Sequence, residues 1–579
     1  MNIIEPAFLH GKDVLPFWKW GIPSLAQVLR QWENRPVLAP MESSACSFLS
    51  PVGQFFPPDS LLSQAEINAS ITKAVHLIRM WVQECGPDSW APYLQRMLQE
   101  PVASIFIAAK MGEKFLSVGI RRLYCLEASH FSTNLQWFNP DFPILVWKDM
   151  LPGIYQGIPV AEAPSRNPAE RPFPPEALEY ERLAGAALFV MYARDIYRYR
   201  KIIKKIMTRS SIPSVIVLYN GTREDYEEAQ KTYEVPVLRW PGGMNVELAA
   251  EAFLPPIRLG AFFPRYPKTS ALLMDALNSR IINYERLYKN LMHILHRHKP
   301  KVAFVSYGLA DGFRIIEKSL NNLSIPIYNL MHGNAIFEPR TPYLDKTTLI
   351  MPYILSKKIM KNNNAKIKIL THKDMEMHDG YKMDKIIHID KNQNLILFIQ
   401  SISQLFPSLF YYDALDKRIK ILKNVLTIPE KLSKHNIIVR YKSHPTWNEP
   451  EISHMAGVEE IFLPLDANLD HLLEQSAVVV CLNYDGSPAL QAVQQQVPVI
   501  LMNTMYAEEA PRYYSSLGEY MVKAGCLHTN EPDQTWALIQ RLLEEPDFRQ
   551  QVVAAQNEQI GRFLTAEHSD WKILDHLLA

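Results

Sequence analysis

The sequence predicts an α/β protein: two Rossmann-like units behind an N-terminal accessory region. Two observations carry that expectation. From about residue 183, short apolar runs alternate with helix-length segments, and the same rhythm restarts near Asn394 after a compositional break. Strands that alternate with helices make βαβ units. Apolar runs without period-two alternation belong to parallel strands buried on both faces.

The elements follow in chain order. Residues 1–180 form the accessory region, readable as α/β or as mainly helical. It holds a helical pattern from Leu61 to Gln83, an apolar run from Ala103 to Ala109, and a proline-rich loop from Pro159 to Pro175. Residues 181–390 form the first Rossmann-like unit. Its strands are read at Ala186–Met191, Ser214–Leu218, Val235–Leu238, Val302–Val305 and Ile325–Leu330. A long helix runs from about Ser270 to His298, and another starts at Asp311. The Lys-, Asn- and Ile-rich stretch from Ser356 to Asn394 reads as a mobile connection. Residues 391–579 form the second unit, with apolar runs at Leu395–Ile399, Ile437–Arg440, Glu460–Leu463, Ala477–Val480 and Val497–Leu501, and helices at the end.

Composition excludes several classes. The chain of 579 residues is 47% hydrophobic and 21% charged, with a net charge of +1. A nucleic-acid-coating protein needs a basic surface that this balance does not announce, so no nucleic-acid partner is expected. The five cysteines are scattered, with no CxxC pair, which fits a reducing compartment rather than a disulfide or zinc framework. The N-terminus shows no basic stretch leading into an apolar run, so no signal peptide is expected. No stretch approaches the roughly 20 apolar residues that cross a bilayer. The expected location is cytoplasmic, with peripheral contact at the inner face of the membrane or with partner enzymes.

Two motifs in the second unit carry chemistry. Arg440-Tyr441-Lys442-Ser443-His444-Pro445 directly follows a strand. Arg440 and Lys442 supply positive charge, His444 offers an N–H to a phosphate oxygen, and Pro445 fixes the turn. Asn483-Tyr484-Asp485-Gly486-Ser487-Pro488 follows the next strand and opens a helix. Ser487 suits an N-cap and Pro488 the first helical position. Free N–H groups and the helix dipole at such an end bind phosphate. In the first unit, Ser306-Tyr307-Gly308-Leu309-Ala310-Asp311-Gly312 and Met331-His332-Gly333-Asn334 each follow a strand. Asp311 reads equally as a helix N-cap and His332 as a loop histidine.

A histidine-proline turn followed some forty residues later by a serine-capped helix resembles the donor half of GT-B glycosyltransferases. The resemblance is to bacterial sialyltransferases and to Kdo and capsule-polysaccharide transferases, and it spans roughly residues 185–570. It implies that Arg440, Lys442, His444, Asp485, Gly486, Ser487 and Gln491 bind a nucleotide-sugar donor. Asp311-Gly312 resembles the acidic-Gly motif that supplies the catalytic carboxylate in such sialyltransferases, with Ala310 in place of a preceding acidic residue. Asp311 and His332 are thereby the catalytic candidates. Many GT-B enzymes carry Glu-Ala in the donor helix, the Glu holding the ribose; here the pair is Gln491-Ala492.

The expected activity is transfer of a sugar from the nucleotide donor to a growing surface polysaccharide or glycolipid. The donor favoured by the resemblance is a CMP-linked ulosonic acid such as Kdo or a sialic acid. No Asp-x-Asp motif is present, so the enzyme is expected to work without a metal or other cofactor. The alternatives are a CDP-glycerol-type glycerophosphotransferase or a nucleotide-sugar epimerase on the same fold, and a non-catalytic GT-B scaffold that binds glycan or protein.

Overall fold

The structure, a computed structural model, describes residues 9–16, 36–38, 54–56, 61–86, 89–128, 141–160, 180–193, 195–219, 221–239, 266–306, 311–330, 347–351, 368–371, 385–400, 423–443, 457–482, 487–502, 521–522, 525–529, 531–561 and 564. The strands are β1 (Asp13–Pro16), β2 (Pro36–Leu38), β3 (Gln54–Phe56), β4 (Arg122–Ala128), β5 (Tyr155–Val160), β6 (Ala187–Tyr192), β7 (Ser214–Tyr219), β8 (Val237–Arg239), β9 (Val302–Ser306), β10 (Ile327–Leu330), β11 (Thr348–Met351), β12 (Lys368–Thr371), β13 (Asn394–Gln400), β14 (Ile437–Lys442), β15 (Ser476–Leu482), β16 (Val499–Met502) and β17 (Leu527–Thr529). The helices are α1 (Gln64–Cys85), α2 (Ala91–Ser117), α3 (Asp141–Met150), α4 (Asp195–Arg198), α5 (Arg200–Arg209), α6 (Arg223–Tyr233), α7 (Pro267–Arg297), α8 (Asp311–Asn322), α9 (Leu469–Glu474), α10 (Ser487–Gln494), α11 (Pro532–Glu544) and α12 (Pro546–Gln559).

These strands form three sheets, in the orders β3-β2-β1-β4-β5, β8-β7-β6-β9-β10-β11-β12 and β14-β13-β15-β16-β17. Every pairing within them is parallel. The second and third sheets are the two Rossmann-like units. The described N-terminal residues hold both strands and helices, β1 to β5 and α1 to α3. The apolar run from Ala103 to Ala109 lies within the long helix α2.

Local chemistry explains the helix ends. Ser63 caps α1 and exchanges hydrogen bonds with Glu66, a capping box, while Gly86 ends the helix at φ 80. Thr222 and Asp225 form the same box on α6. The central strands β6, β9 and β10 of the second sheet are buried on both faces. Leu188, Val190, Ala303, Val305 and Ile327 enter one core. Ala187, Phe189, Val302, Phe304 and Tyr328 enter the core on the other side.

Two expectations are corrected. Lys368–Thr371, inside the stretch read as a connection, forms β12 and extends the second sheet beyond β11. Glu459–Ile461, in the run read as a strand, is a turn of 3₁₀ helix, and only Phe462 bridges to Tyr441. No helix among the described residues is long and apolar enough to cross a membrane.

The N-terminal helices and the second sheet share one core, which runs from Leu9 to Ile327. An aromatic box seals their junction. Trp90, just before α2, packs edge-on against Tyr284 and Tyr288 of α7, and its indole N–H donates to Glu285 at 2.5 Å. The Lys318 ammonium, on α8, stands 4.3 Å from the Trp90 ring centre and 5.1 Å from that of Tyr93. A partly desolvated cation over aromatic faces is worth about 0.5–2 kcal/mol. Lys318→Met should therefore lower the denaturation free energy by about that much, and Lys318→Arg should keep most of it. A denaturant midpoint unchanged in Lys318→Met would remove the box from the energetics of the junction.

Candidate functional site

In open α/β sheets, ligands bind beyond the carboxyl ends of the strands, where neighbouring crossovers leave on opposite faces. In the third sheet that point lies between β13 and β15. Lys442 ends β14 opposite Ile399 of β13, and Leu482 ends β15 opposite Gln400. Adjacent strands lie about 4.8 Å apart, so the ends of β14 and β15 are about 10 Å apart. The chain leaving β15 re-enters helix at Ser487. Both donor motifs of the second unit thus leave from the same carboxyl edge, on either side of β13.

The described side chains there are unequal. Lys442 is 3% exposed, and its ammonium donates to the Leu465 carbonyl at 2.8 Å and the Ser443 carbonyl at 3.3 Å. Its charge sits at the edge, while its hydrogen bonds clamp the segment after β14. Arg440 is half-buried, and its Nη1 donates to its neighbour's carbonyl, Val439 O, at 2.9 Å. Gln491 stands one turn inside α10 on the stripe of Ser487. It is 8% exposed, and its Oε1 has no hydrogen-bond partner. A buried acceptor left unpaired costs about 1–3 kcal/mol, so it calls for a donor. His332, His444, Asp485 and Gly486 lie outside the described residues, as do the side chains of Asp311 and Ser487.

In the second sheet the corresponding point lies between β6 and β9. α4 and α5 cover one face, through Ile196, Tyr199 and Ile202. α8 covers the other, through Phe313 and Ile316. Asp311 is the first residue of α8 and therefore borders this point. Sequence reasoning passed over what the fold adds beside it. Asp195 opens α4 and is fully buried, in an ion pair with Arg198 at 2.8 Å and accepting from Ser306 Oγ at 2.6 Å. Asn329, on β10 next to Val305, is also buried, with Oδ1 lacking a partner. The one legible signal was an acidic residue three positions beyond an apolar strand, where a βα turn places ligand-edge groups.

Two buried thiols sit in the third sheet's core. Burial pushes Cys526 up to about 12 and Cys481 higher still, so neither is a nucleophile at neutral pH.

The two successive parallel sheets define the class as an α/β protein with paired Rossmann-like units. No protein-family model and no curated protein matches the sequence. Solved structures that align with it include the UDP-GlcNAc 2-epimerase of Neisseria meningitidis bound to UDP-GlcNAc, at 12% identity and a TM-score of 0.38, over 68% of this chain and 99% of that one. MurG of Acinetobacter baumannii aligns at 9% identity and a TM-score of 0.38, over 68% and 99%. Arabidopsis thaliana UGT89C1 complexed with UDP aligns at 13% and 0.40, over 68% and 98%. At these similarities the fold assignment rests on the strand orders themselves.

Proposed function

We propose that the protein is a GT-B-type glycosyltransferase. It moves a sugar from a nucleotide donor, in first place a CMP-linked ulosonic acid, to a hydroxyl of a glycan or glycolipid. The observation that carries the proposal is the coincidence, at one sheet edge, of the start of α10 at Ser487 with the buried, unpaired Gln491 Oε1 one turn in. A helix N-terminus suits the donor phosphate, and the orphan acceptor suits a ribose hydroxyl, which can donate to it. Gln491 then does the work of the Glu found in many GT-B enzymes, without its charge.

In the transfer, the bond from the anomeric carbon to the nucleotide phosphate breaks, and its electron pair leaves on the phosphate oxygen. The acceptor oxygen bonds to that carbon, and its proton passes to Asp311. His444, Arg440 and the N–H groups at Ser487 take up the charge on the leaving phosphate, with no metal assigned to that task.

Titration with CMP, UDP, CDP and GDP, followed by thermal shift, tests the site. A nucleotide at 100 times its Kd raises stability by about 2.7 kcal/mol. A neutral hydrogen bond is worth about 0.5–1.5 kcal/mol. Gln491→Ala should therefore weaken binding by roughly 2- to 13-fold, and Gln491→Glu should bind at least as well as wild type. Unchanged affinity in Gln491→Ala, His444→Ala and Ser487→Ala together would place the nucleotide elsewhere. Donor breakdown that needs no acceptor would point to an epimerase.

A further inference from the structure

A strong charge imbalance lies on α5, away from the donor motifs. Its ten residues, Arg200–Arg209, carry five cations and no acidic residue. The chain as a whole is nearly balanced, with 61 basic against 60 acidic residues. Helical periodicity sorts the side chains. Ile202, Ile203 and Ile206 are fully buried in the core on the α4 side of the second sheet. At about 3.6 residues per turn, Arg200, Lys201, Lys204 and Lys205 stand on the opposite side, and Arg209 closes the stripe at the far end. Arg200, Lys201 and Arg209 are exposed.

The surroundings do not reverse this charge. Three acidic residues of α6, which packs on the same face of the sheet, serve α6 itself. Asp225 is in the capping box with Thr222, Glu227 pairs with Arg223 at 2.8 Å, and Glu228 accepts from the Thr232 hydroxyl at 3.4 Å. At the sheet's amino edge the basic character continues. Lys299 and Lys301 are exposed there and lead into β9, whose Val302 lies opposite Ala187 of β6. Ser214 of β7, just beyond α5, lies on the other side of Ala187.

The buried isoleucines decide what kind of partner fits. A helix that inserts into a bilayer gives its apolar side to the lipid. Here that side is packed in the core, so α5 offers charge alone. Grooves for single-stranded nucleic acid add aromatic rings on which bases stack, and α5 has none. A cationic stripe without an apolar or aromatic side suits the anionic headgroups of a bilayer.

We propose that α5 docks the protein on an anionic lipid surface. The attachment is electrostatic and reversible, without insertion. α5 runs back from the carboxyl edge of the second sheet, where Asp195 of α4 meets Ser306, so its Arg200 end holds that edge near the headgroups. Docking does not require sugar transfer and goes beyond the function proposed above.

The test sediments the full chain with vesicles of phosphatidylcholine alone and with vesicles in which about one lipid in three is phosphatidylglycerol. Wild type should bind only the anionic vesicles in about 0.1 M salt and leave them in about 1 M, as the screening length falls from about 10 to about 3 Å. Each Lys or Arg near such a surface strengthens binding about fivefold, so Lys201→Gln with Lys204→Gln should weaken it about 25-fold. Gln has nearly the helix propensity of Lys, so the melting temperature should hold. Lys201→Arg with Lys204→Arg should bind like wild type. So should Lys423→Gln with Lys431→Gln, which removes the same charge from exposed positions of the second Rossmann-like unit. Failure to bind the anionic vesicles, equal binding to the neutral ones, or an equal loss in the Lys423, Lys431 pair overturns the proposal. A single-stranded oligonucleotide held more tightly than the vesicles, and lost in the Lys201→Gln, Lys204→Gln pair, overturns it too, because the partner is then a nucleic acid. Vesicle binding without turnover of any nucleotide sugar would sink the glycosyltransferase reading and leave the docking intact.

Discussion

Replacing Asp311 by Asn should lower the initial rate of sugar transfer by roughly 10²–10⁴, the usual worth of a general base, with nucleotide affinity nearly unchanged. Asp311 is the first residue of α8, at the carboxyl end of β9 and beside the point where the second sheet's crossovers diverge. Asn preserves size and caps a helix about as well as Asp, so the melting temperature should hold. The competing role, a plain N-cap, predicts that rate and stability both survive. Initial rates and melting temperature of this one variant decide. Near-normal turnover would move the base to His332 or to an acidic residue of the N-terminal region.

Trp536→Ala should destabilise the third sheet's unit by about 3–5 kcal/mol, the cost of emptying a large aromatic site. Trp536, on α11, is buried against Phe398 of β13 and donates its indole N–H to the Val425 carbonyl at 2.9 Å. Truncation leaves a cavity and removes the donor from that carbonyl. The cores on the two faces of the third sheet share no residue with the cores around the first two sheets. Calorimetry should therefore show one transition moving down while another stays. At roughly 2–4 °C per kcal/mol for a unit of this size, the movement is roughly 6–20 °C. A saturating nucleotide should raise that same transition. A single transition shifting as a whole would mean that the units unfold together, and a shift below about 3 °C would mean that the site collapses around the smaller side chain.

Much of the frame was legible because it is local. Val- and Ile-rich runs such as Ser214–Leu218 and Ala477–Val480 read as strands buried on both faces, and the structure has β7 and β15 there, whereas the run Ala103–Ala109 lies in helix α2. Helices were read from Asp311 and around Ser487-Pro488, and the described residues carry α8 from Asp311 and α10 from Ser487. The stretch at Lys368–Thr371 was missed because a polar, Lys- and Asn-rich context hides an edge strand whose partner, β11, supplies the hydrogen bonds. Lys442 was read beyond a strand ending at Arg440; the structure carries β14 through Lys442, and only the folded chain brings the Leu465 carbonyl to its ammonium.

By itself, then, the sequence determined most strands and helices of the two Rossmann-like units and that those strands are parallel. Hydrophobic period, capping residues and turn chemistry act over a few residues and need no partner. Tertiary structure alone decided the strand order, and with it which strand ends are neighbours. Asp195 and Ser306 meet because β6 and β9 pair, and the Lys442 and Ser487 motifs flank β13 because β14 and β15 both pair with it. Such pairings are chosen by burial summed over whole sheets, a quantity that no short stretch of sequence carries.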